Sequence, residues 1–319
     1  MKLFHSLLYP LLGGLFCLSC SDDEQDSGTK QPTTAGEVTF GVDLTGFSTR
    51  VTQDGSSWND GDKIGTYVLD MKTLEPVTEA ANVPYVCSEE GASVSFTSTT
   101  PLKVQNDGTP VKFVAYYPYN ADVRNFNYPV QLAAQERGST ACDLLYAATK
   151  EEYTYSPENE PHISLNFTHR LAKVILKFVN MEKEPLEVSD VRIEGMQTAA
   201  SFNIQTDVLT VDESSVATIN PYHNATTGFY EAIILPSALT DSYKVSFVLD
   251  DREKEWIFTN LDIALPQFHK GYSYTFALYI DDSGFVEMGR LENVEGGNSS
   301  APWEDGSSED GTAEGDKTP

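Results

Sequence analysis

Apolar residues recur at every second position through most of this chain. In Val38-Thr39-Phe40-Gly41-Val42-Asp43-Leu44 the apolar side chains are Val38, Phe40, Val42 and Leu44. Ile163-Ser164-Leu165-Asn166-Phe167 and Val245-Ser246-Phe247-Val248-Leu249 repeat the pattern, and Tyr272 to Ile280 carries one face that is wholly apolar or aromatic. Successive side chains of a strand point to opposite faces, so this period predicts strands with one face on a core. Asp54-Gly55, Asp60-Gly61, Asn106-Asp107-Gly108, Asn220-Pro221 and Asp281-Asp282-Ser283-Gly284 punctuate the strands as turns. No window carries a long amphipathic helix with caps. The local exceptions expected are short turns near Val130–Gly138 and Leu144–Lys150. Many short strands with turns between them predict an all-β chain of sandwich architecture. A change from Tyr-rich sequence with long loops, Tyr116 to Ala148, to tidier alternation sets a boundary near Thr168–Arg170. Two tandem β-sandwich domains are expected, 37–168 and 169–290.

The two ends read differently from this body. Lys2 followed by the apolar stretch Leu7 to Phe16 predicts a secretory signal over residues 1–19. That stretch is too short and too interrupted to cross a bilayer, which takes about 20 apolar residues. The border Cys17-Leu18-Ser19-Cys20 resembles a bacterial lipobox, with Cys20 as the lipid-attachment residue; the alternative is ordinary cleavage and release. Several acyl chains on one cysteine give stable anchoring where a single chain does not. Ser21-Asp22-Asp23-Glu24 then resembles the surface-export signal of Bacteroidetes lipoproteins. Residues 20–36, rich in Ser, Thr, Gly and Asp, read as an acidic flexible tether with a span of about 20 Å. Residues 291–319 form an acidic tail in which Trp303 is the one large apolar residue beyond Asn298.

The formal net charge is −27. Such a chain repels polyanions, which excludes nucleic acid as a partner. Cys87 and Cys142 remain in the body after signal removal. An oxidising compartment permits a disulfide between them, and two buried thiols are the alternative. That body contains no CxxC, so neither a redox motif nor a structural zinc site is indicated.

Enzyme chemistry finds little to stand on, and no catalytic residue, metal site or cofactor is expected. His162, His169, His223 and His269 are scattered, with no HExxH, GxSxG or phosphate loop. His169 follows an alternating strand and is expected to tie a domain junction by hydrogen bonds rather than to catalyse. Asn59-Asp60-Gly61-Asp62 lacks the alternating ligands and late Glu of a calcium loop. It reads instead as a tight turn entered by the aromatic plug Trp58, with Gly61 supplying a positive φ.

Five stretches together carry a family resemblance. They are Thr49-Arg50 with Trp58-Asn59-Asp60-Gly61-Asp62-Lys63-Ile64-Gly65; Phe113-Val114-Ala115-Tyr116-Tyr117-Pro118; Asp143-Leu144-Leu145-Tyr146-Ala147; Leu165 to Val174; and Ala232-Ile233-Ile234-Leu235-Pro236. The closing Gly271-Tyr272-Ser273-Tyr274-Thr275-Phe276 fits as well. In this order and spacing the chain resembles the fimbrillin family of Bacteroidetes fimbrial subunits. The resemblance implies tandem transthyretin-like Greek-key sandwiches and a structural or adhesive role at the outer membrane, in a lipoprotein bearing palmitate-type chains.

It also implies assembly with other fimbrial subunits, with host or bacterial surface ligands as further partners. Shaft subunits of that family are cut by an arginine- or trypsin-type protease and then exchange strands. Here Arg50 is the matching cleavage position, and Val38, Phe40, Val42 and Leu44 belong to the strand that would be displaced. The alternative for Arg50 is an ordinary solvated side chain. Phe285 to Leu291 is the one stretch near the C-terminus that could donate a strand. A surface glycan-binding lipoprotein is the second reading, with Trp256, Trp303 and the tyrosines Tyr116, Tyr117 and Tyr119 as aromatic platforms.

Overall fold

The structure is a computed structural model that describes residues 35–42, 58–291 with short interruptions, and 304–305. The interruptions fall at 79–80, 92, 136–137, 139–141, 159, 181–183, 239–242, 250–253, 260–266 and 281–285. For 254–259, 286–291 and 304–305 the backbone alone is described. The signal segment, Cys20, the tether before Ala35, Leu44, Arg50, Trp303 and the side chain of Trp256 lie outside the described residues.

Among the described residues there is no α-helix, and the elements are strands. In chain order the first eleven are β1 (Ala35–Glu37), β2 (Thr39–Val42), β3 (Lys63–Asp70), β4 (Val83–Cys87), β5 (Val94–Thr97), β6 (Lys103–Gln105), β7 (Val111–Tyr117), β8 (Asn127–Gln131), β9 (Leu145–Ala148), β10 (His162–Ser164) and β11 (Thr168–His169). There follow β12 (Ala172–Asn180), β13 (Val188–Glu194), β14 (Ala199–Asn203), β15 (Val208–Val211), β16 (Tyr222–Asn224), β17 (Phe229–Ile234), β18 (Ser237–Ala238) and β19 (Lys244–Leu249). The last are β20 (Lys254–Thr259), β21 (Gln267–Phe268), β22 (Tyr272–Ile280), β23 (Val286–Leu291) and β24 (Glu304–Asp305).

The central element is an eight-stranded sheet in the order β10-β2-β5-β4-β3-β7-β9-β11. Its middle strands do not alternate in sequence because both of their faces are buried. Ile64, Val68, Phe113, Ala115, Leu145 and Ala147 point into one hydrophobic cluster, together with Phe40, Tyr85 and Phe96. Tyr67, Leu69, Val114, Tyr116 and Tyr146 point the other way into a second cluster. The stretch Leu144–Lys150, expected to turn, is therefore strand β9, since Leu145 and Ala147 fill one cluster and Tyr146 the other. In the stretch Val130–Gly138, Val130 and Gln131 close β8 and the chain turns only afterwards, with the Gly138 N–H on Gln135 O at 3.0 Å.

A third cluster holds the later residues. It lies between the sheet β16-β17-β12-β22-β23 and the sheet β13-β19-β20, with Val174, Leu176, Phe178, Tyr274, Phe276 and Leu278 from the first and Val191, Ile193, Val245 and Phe247 from the second. The aromatic face expected of Tyr272–Ile280 is the face of β22 that enters this cluster.

The two halves are tied through the cluster that backs Tyr116. β8 pairs antiparallel with β14, from Asn127↔Asn203 to Gln131↔Ala199, and β15 completes a three-stranded sheet across the chain's midpoint. Val130, Phe202, Leu171 and Ile233 all enter that one cluster. The buried Gln135 amide donates to Ile233 O at 2.6 Å and accepts from Ile233 N–H at 2.7 Å. Arg170 grips the Asp207 carboxylate through Nε and through Nη2 at 3.0 Å, and its guanidinium stacks over the Tyr146 ring at 4.8 Å. The described residues, from Ala35 onward, fall in one compact unit.

Gly65 sits where β3 passes the ring of fully buried Tyr116; a Cβ there would lie 2.2 Å from Tyr116 Cε1. The ring is held in place, because its hydroxyl donates to Asn82 Oδ1 at 2.6 Å and also lies 3.1 Å from Asn120 O. Gly65→Ala is expected to destabilise the chain by about 3 kcal/mol through overpacking. A chemical-denaturation midpoint within error of the parent would refute this.

Candidate functional site

The first strand makes the site. β2 lies one place in from the edge of the eight-stranded sheet, antiparallel to β5 (Phe40↔Phe96) and parallel to β10 (Ile163↔Phe40). β10 is only three residues long and is the outermost strand on that side. Val38 and Phe40 are fully buried and Val42 nearly so. The Phe40 ring meets Tyr85 edge-on at 4.8 Å and Phe113 at 5.8 Å. Burying a Phe side chain contributes about 2–3 kcal/mol before any aromatic pairing is counted. Residues 38–42 thus enter the core with three apolar side chains, and the backbone of β2 is shared between neighbours 123 and about 54 residues away in sequence.

Backbone contacts outside the ladders complete the groove. The Val38 N–H donates to Leu102 O and the Thr39 N–H to Pro161 O, both at 2.9 Å, while Leu165 N–H donates to Gly41 O at 2.9 Å. Tyr85 acts as a clasp: its hydroxyl donates to Val38 O at 3.0 Å and accepts from Leu102 N–H at 2.8 Å. Burial pushes the Tyr85 phenol up to about 12, against the opposing pull of the Leu102 N–H, so the hydroxyl keeps its proton through the physiological range.

The Trp58 turn packs into the same hydrophobic cluster as Phe40. Trp58 is fully buried and meets Phe96, Tyr117 and Phe167 edge-on at 5.0, 5.3 and 5.5 Å. Gly61 has φ +89°, the Asp62 carboxylate accepts from Asn59 N–H at 2.7 Å, and Asp62 N–H donates to Asn59 O at 3.1 Å. The Asn59–Asp62 stretch is a turn around an aromatic plug, as its sequence indicates. Burial raises the Asp62 carboxyl above its ordinary value, although the Asn59 N–H and the Tyr117 hydroxyl at 3.3 Å oppose the rise.

Other singled-out residues serve structure. His169 is buried at the midpoint of the chain with Nδ1 at 2.8 Å from Asp143 Oδ2, beside the Arg170–Asp207 tie. Cys87 and Cys142 are both free thiols, so the disulfide weighed from sequence is not made. Cys87 belongs to the cluster around Phe40 and its thiol donates to Glu89 O at 2.8 Å, whereas Cys142 packs against the cluster behind Tyr116, on the opposite face of the sheet. Burial raises both thiols, which keeps them protonated. Tyr116 is fully buried and Tyr117 packs on Trp58, so these two tyrosines do not form the glycan platform considered above.

Sequence reasoning found Val38, Phe40 and Val42 but missed the residues that enclose them. Tyr85, Tyr155, Pro161 and His162 come from distant segments. Nothing in their local sequence marks them.

Tyr85→Phe removes both clasp bonds and leaves a buried N–H and C=O short of one partner. It is expected to cost about 2 kcal/mol and to speed amide hydrogen exchange at Phe40 and Val42 more than in β22. Equal acceleration throughout would refute the clasp. For Asp62 the folded chain holds the proton more tightly than the unfolded one. Its contribution is therefore fully present below the ordinary carboxylate value near 3.8 and is lost as pH rises through the folded value. Asp62→Asn should thus raise the melting temperature at pH 7, with the gain shrinking at pH 3.5; a gain that grows on acidification would refute the sign.

A family model described as fimbrillin-like matches residues 49–303. No curated protein matches the chain. Among solved structures, a candidate cell adhesion protein of Bacteroides uniformis superposes with a TM-score of 0.65 at 22% identity, covering 81% of this chain and 97% of that one. A candidate cell adhesion protein of Bacteroides ovatus superposes with a TM-score of 0.58 at 15% identity, covering 82% of this chain and 98% of that one. At such identities the superpositions establish a shared all-β fold. The family match spans most of the sequence and runs through the Trp58 turn, the buried middle strands and β22. The chain belongs to the fimbrillin-like family.

Proposed function

We propose that this chain is a cell-surface fimbrial subunit or fimbria-associated lipoprotein, anchored through Cys20 at the outer membrane and able to exchange its first strand for one from a neighbouring subunit. The observation that carries the reading is the placement of β2. Phe40 and Val42 on this strand and Val38 just before it are buried, and the strand is separated from the open edge of its sheet by the three residues of β10. The family match begins at residue 49, beyond that strand and one residue before Arg50. Cutting after Arg50 would release residues 20–50, and with them the lipid and the strand. It would leave the slot of Phe40 open and two ladder edges unpaired, which is the condition for strand addition.

The reading assigns different tasks to the two sandwiches expected at 37–168 and 169–290. The first accepts a strand. The second offers one, because Phe285–Leu291 contains β23, the outermost strand of its sheet. No catalytic role enters this account.

The test is the N-terminus and intact mass of the protein taken from the cell surface. A start at Val51 is the expected result for a subunit that polymerises. A start at acylated Cys20 in assembled fimbriae would overturn strand exchange and leave an anchor or accessory lipoprotein.

A further inference from the structure

We propose that the outward face of β8, β14 and β15 is a binding platform for an uncharged polysaccharide. The inference stands whether or not the first strand is exchanged.

Register sets the platform. β14 runs between β8 and β15, so Asn127, Asn203 and Val208 form one row across the sheet and Pro129, Ser201 and Thr210 the next. Alternation puts these side chains on the face opposite Val130, Ala200 and Phe202, which enter the cluster that ties the two halves. Asn127, Pro129, Val208 and Thr210 on the outer strands are exposed, while Ser201 and Asn203 on the middle strand are half-buried. Two further rows follow, one through Gln131 opposite Ala199 and one through Gln197, which lies just before β14 and bridges Val216. With strands about 4.8 Å apart and same-face residues about 6.8 Å apart, the platform measures about 10 Å by 20 Å.

The face is uncharged. None of these side chains is ionisable, although 22% of the chain is charged. Outward positions on other sheets do carry charge: Lys173 and Lys177 on β12, Arg192 and Glu194 on β13, and Lys244 on β19. Side-chain amides and hydroxyls both donate and accept hydrogen bonds, as sugar hydroxyls do. Asn127 Oδ1 accepts from the Ser201 hydroxyl at 3.2 Å, and Asn203 Oδ1 accepts from Thr206 N–H at 3.0 Å. Each amide is thus held by its oxygen, and its nitrogen can donate to a sugar hydroxyl. Val208 and Val216, 51% and 56% exposed, stand at opposite ends of the platform and offer apolar contact to the C–H faces of sugar rings.

Size and charge select the occupant. A stable protein partner buries about 800 Å² on each side, well above the area of this face. The hot spots of such interfaces are aromatic or Arg anchors, which the face lacks. A polysaccharide needs only a narrow strip. Acidic glycans are disfavoured, because the chain carries a net charge of −27 and Asp207, Asp212 and Glu213 flank β15.

The test is affinity electrophoresis of the full chain in gels containing amylopectin, mixed-linkage β-glucan, α-mannan or polygalacturonate. Retardation is expected on at least one of the neutral gels and not on polygalacturonate. Gln131→Ala and Thr210→Ala change exposed positions, and each is expected to raise the dissociation constant about fivefold with the melting temperature unchanged. Thr99→Ala, in the loop between β5 and β6, should leave binding as it is. Free movement through all the neutral gels overturns the proposal, and so does retardation on polygalacturonate alone. Retardation that survives Gln131→Ala and Thr210→Ala together overturns the site. Sedimentation showing a dimer that the same two changes dissociate would overturn the polysaccharide in favour of a second copy of the chain.

Discussion

Two-sided burial of the central sheet is the constraint on which the rest of this molecule depends. β3, β7 and β9 have no solvent face: Phe113 and Ile64 look into the cluster around Phe40, and Tyr116 and Tyr67 look into the cluster behind it. A sheet buried on both sides needs a layer on each. On one side the chain supplies β1, β6 and the segment Leu165–Phe167, and on the other it supplies β8, β14 and β15 from both halves of the sequence. The candidate groove and the tie between the halves are thus opposite faces of the same strands. A disturbance of the middle strands is felt on both.

The first strand is held by many modest contacts rather than by a covalent bond. Phe40 fills a slot between Tyr85 and Phe113, the Tyr85 hydroxyl bridges Val38 and Leu102, and β10 closes the outer edge. The partners in these contacts are rings and backbone groups. Along this segment the closest approaches of neighbouring side chains are at Gly36, beside Tyr155, and at Gly41, beside His162. Glycine there answers close approach by neighbouring side chains, not a demand for a positive φ.

Residues that look chemical in the sequence turn out to hold the fold. His169 pairs with Asp143 at the seam between the halves, and Arg170 beside it spans Tyr146 and Asp207. Asp62 closes the Trp58 turn at the expense of a partly buried carboxylate. A charge removed from water is tolerated when hydrogen bonds meet it, and each of these groups has such partners. Cys87 and Cys142 lie against opposite faces of the central sheet, which keeps them apart as thiols.

The sequence by itself determined the strands and the Trp58 turn. Period-two alternation at Val38–Val42, Val245–Leu249 and Tyr272–Ile280 is a local property of strands with one buried face, and an Asp-Gly pair after an aromatic residue is a local property of a tight turn. It also determined the family, through the order of several short stretches. The sequence did not reveal β9 as a strand, since a strand buried on both faces loses its alternation and Leu145-Tyr146-Ala147-Ala148 reads like any apolar run. Only the tertiary structure decided which side chains enclose the first strand. Tyr85, Tyr155 and His162 reach it across dozens to more than a hundred residues, and contacts at that separation are fixed by how the sheet is wound, which no local pattern records.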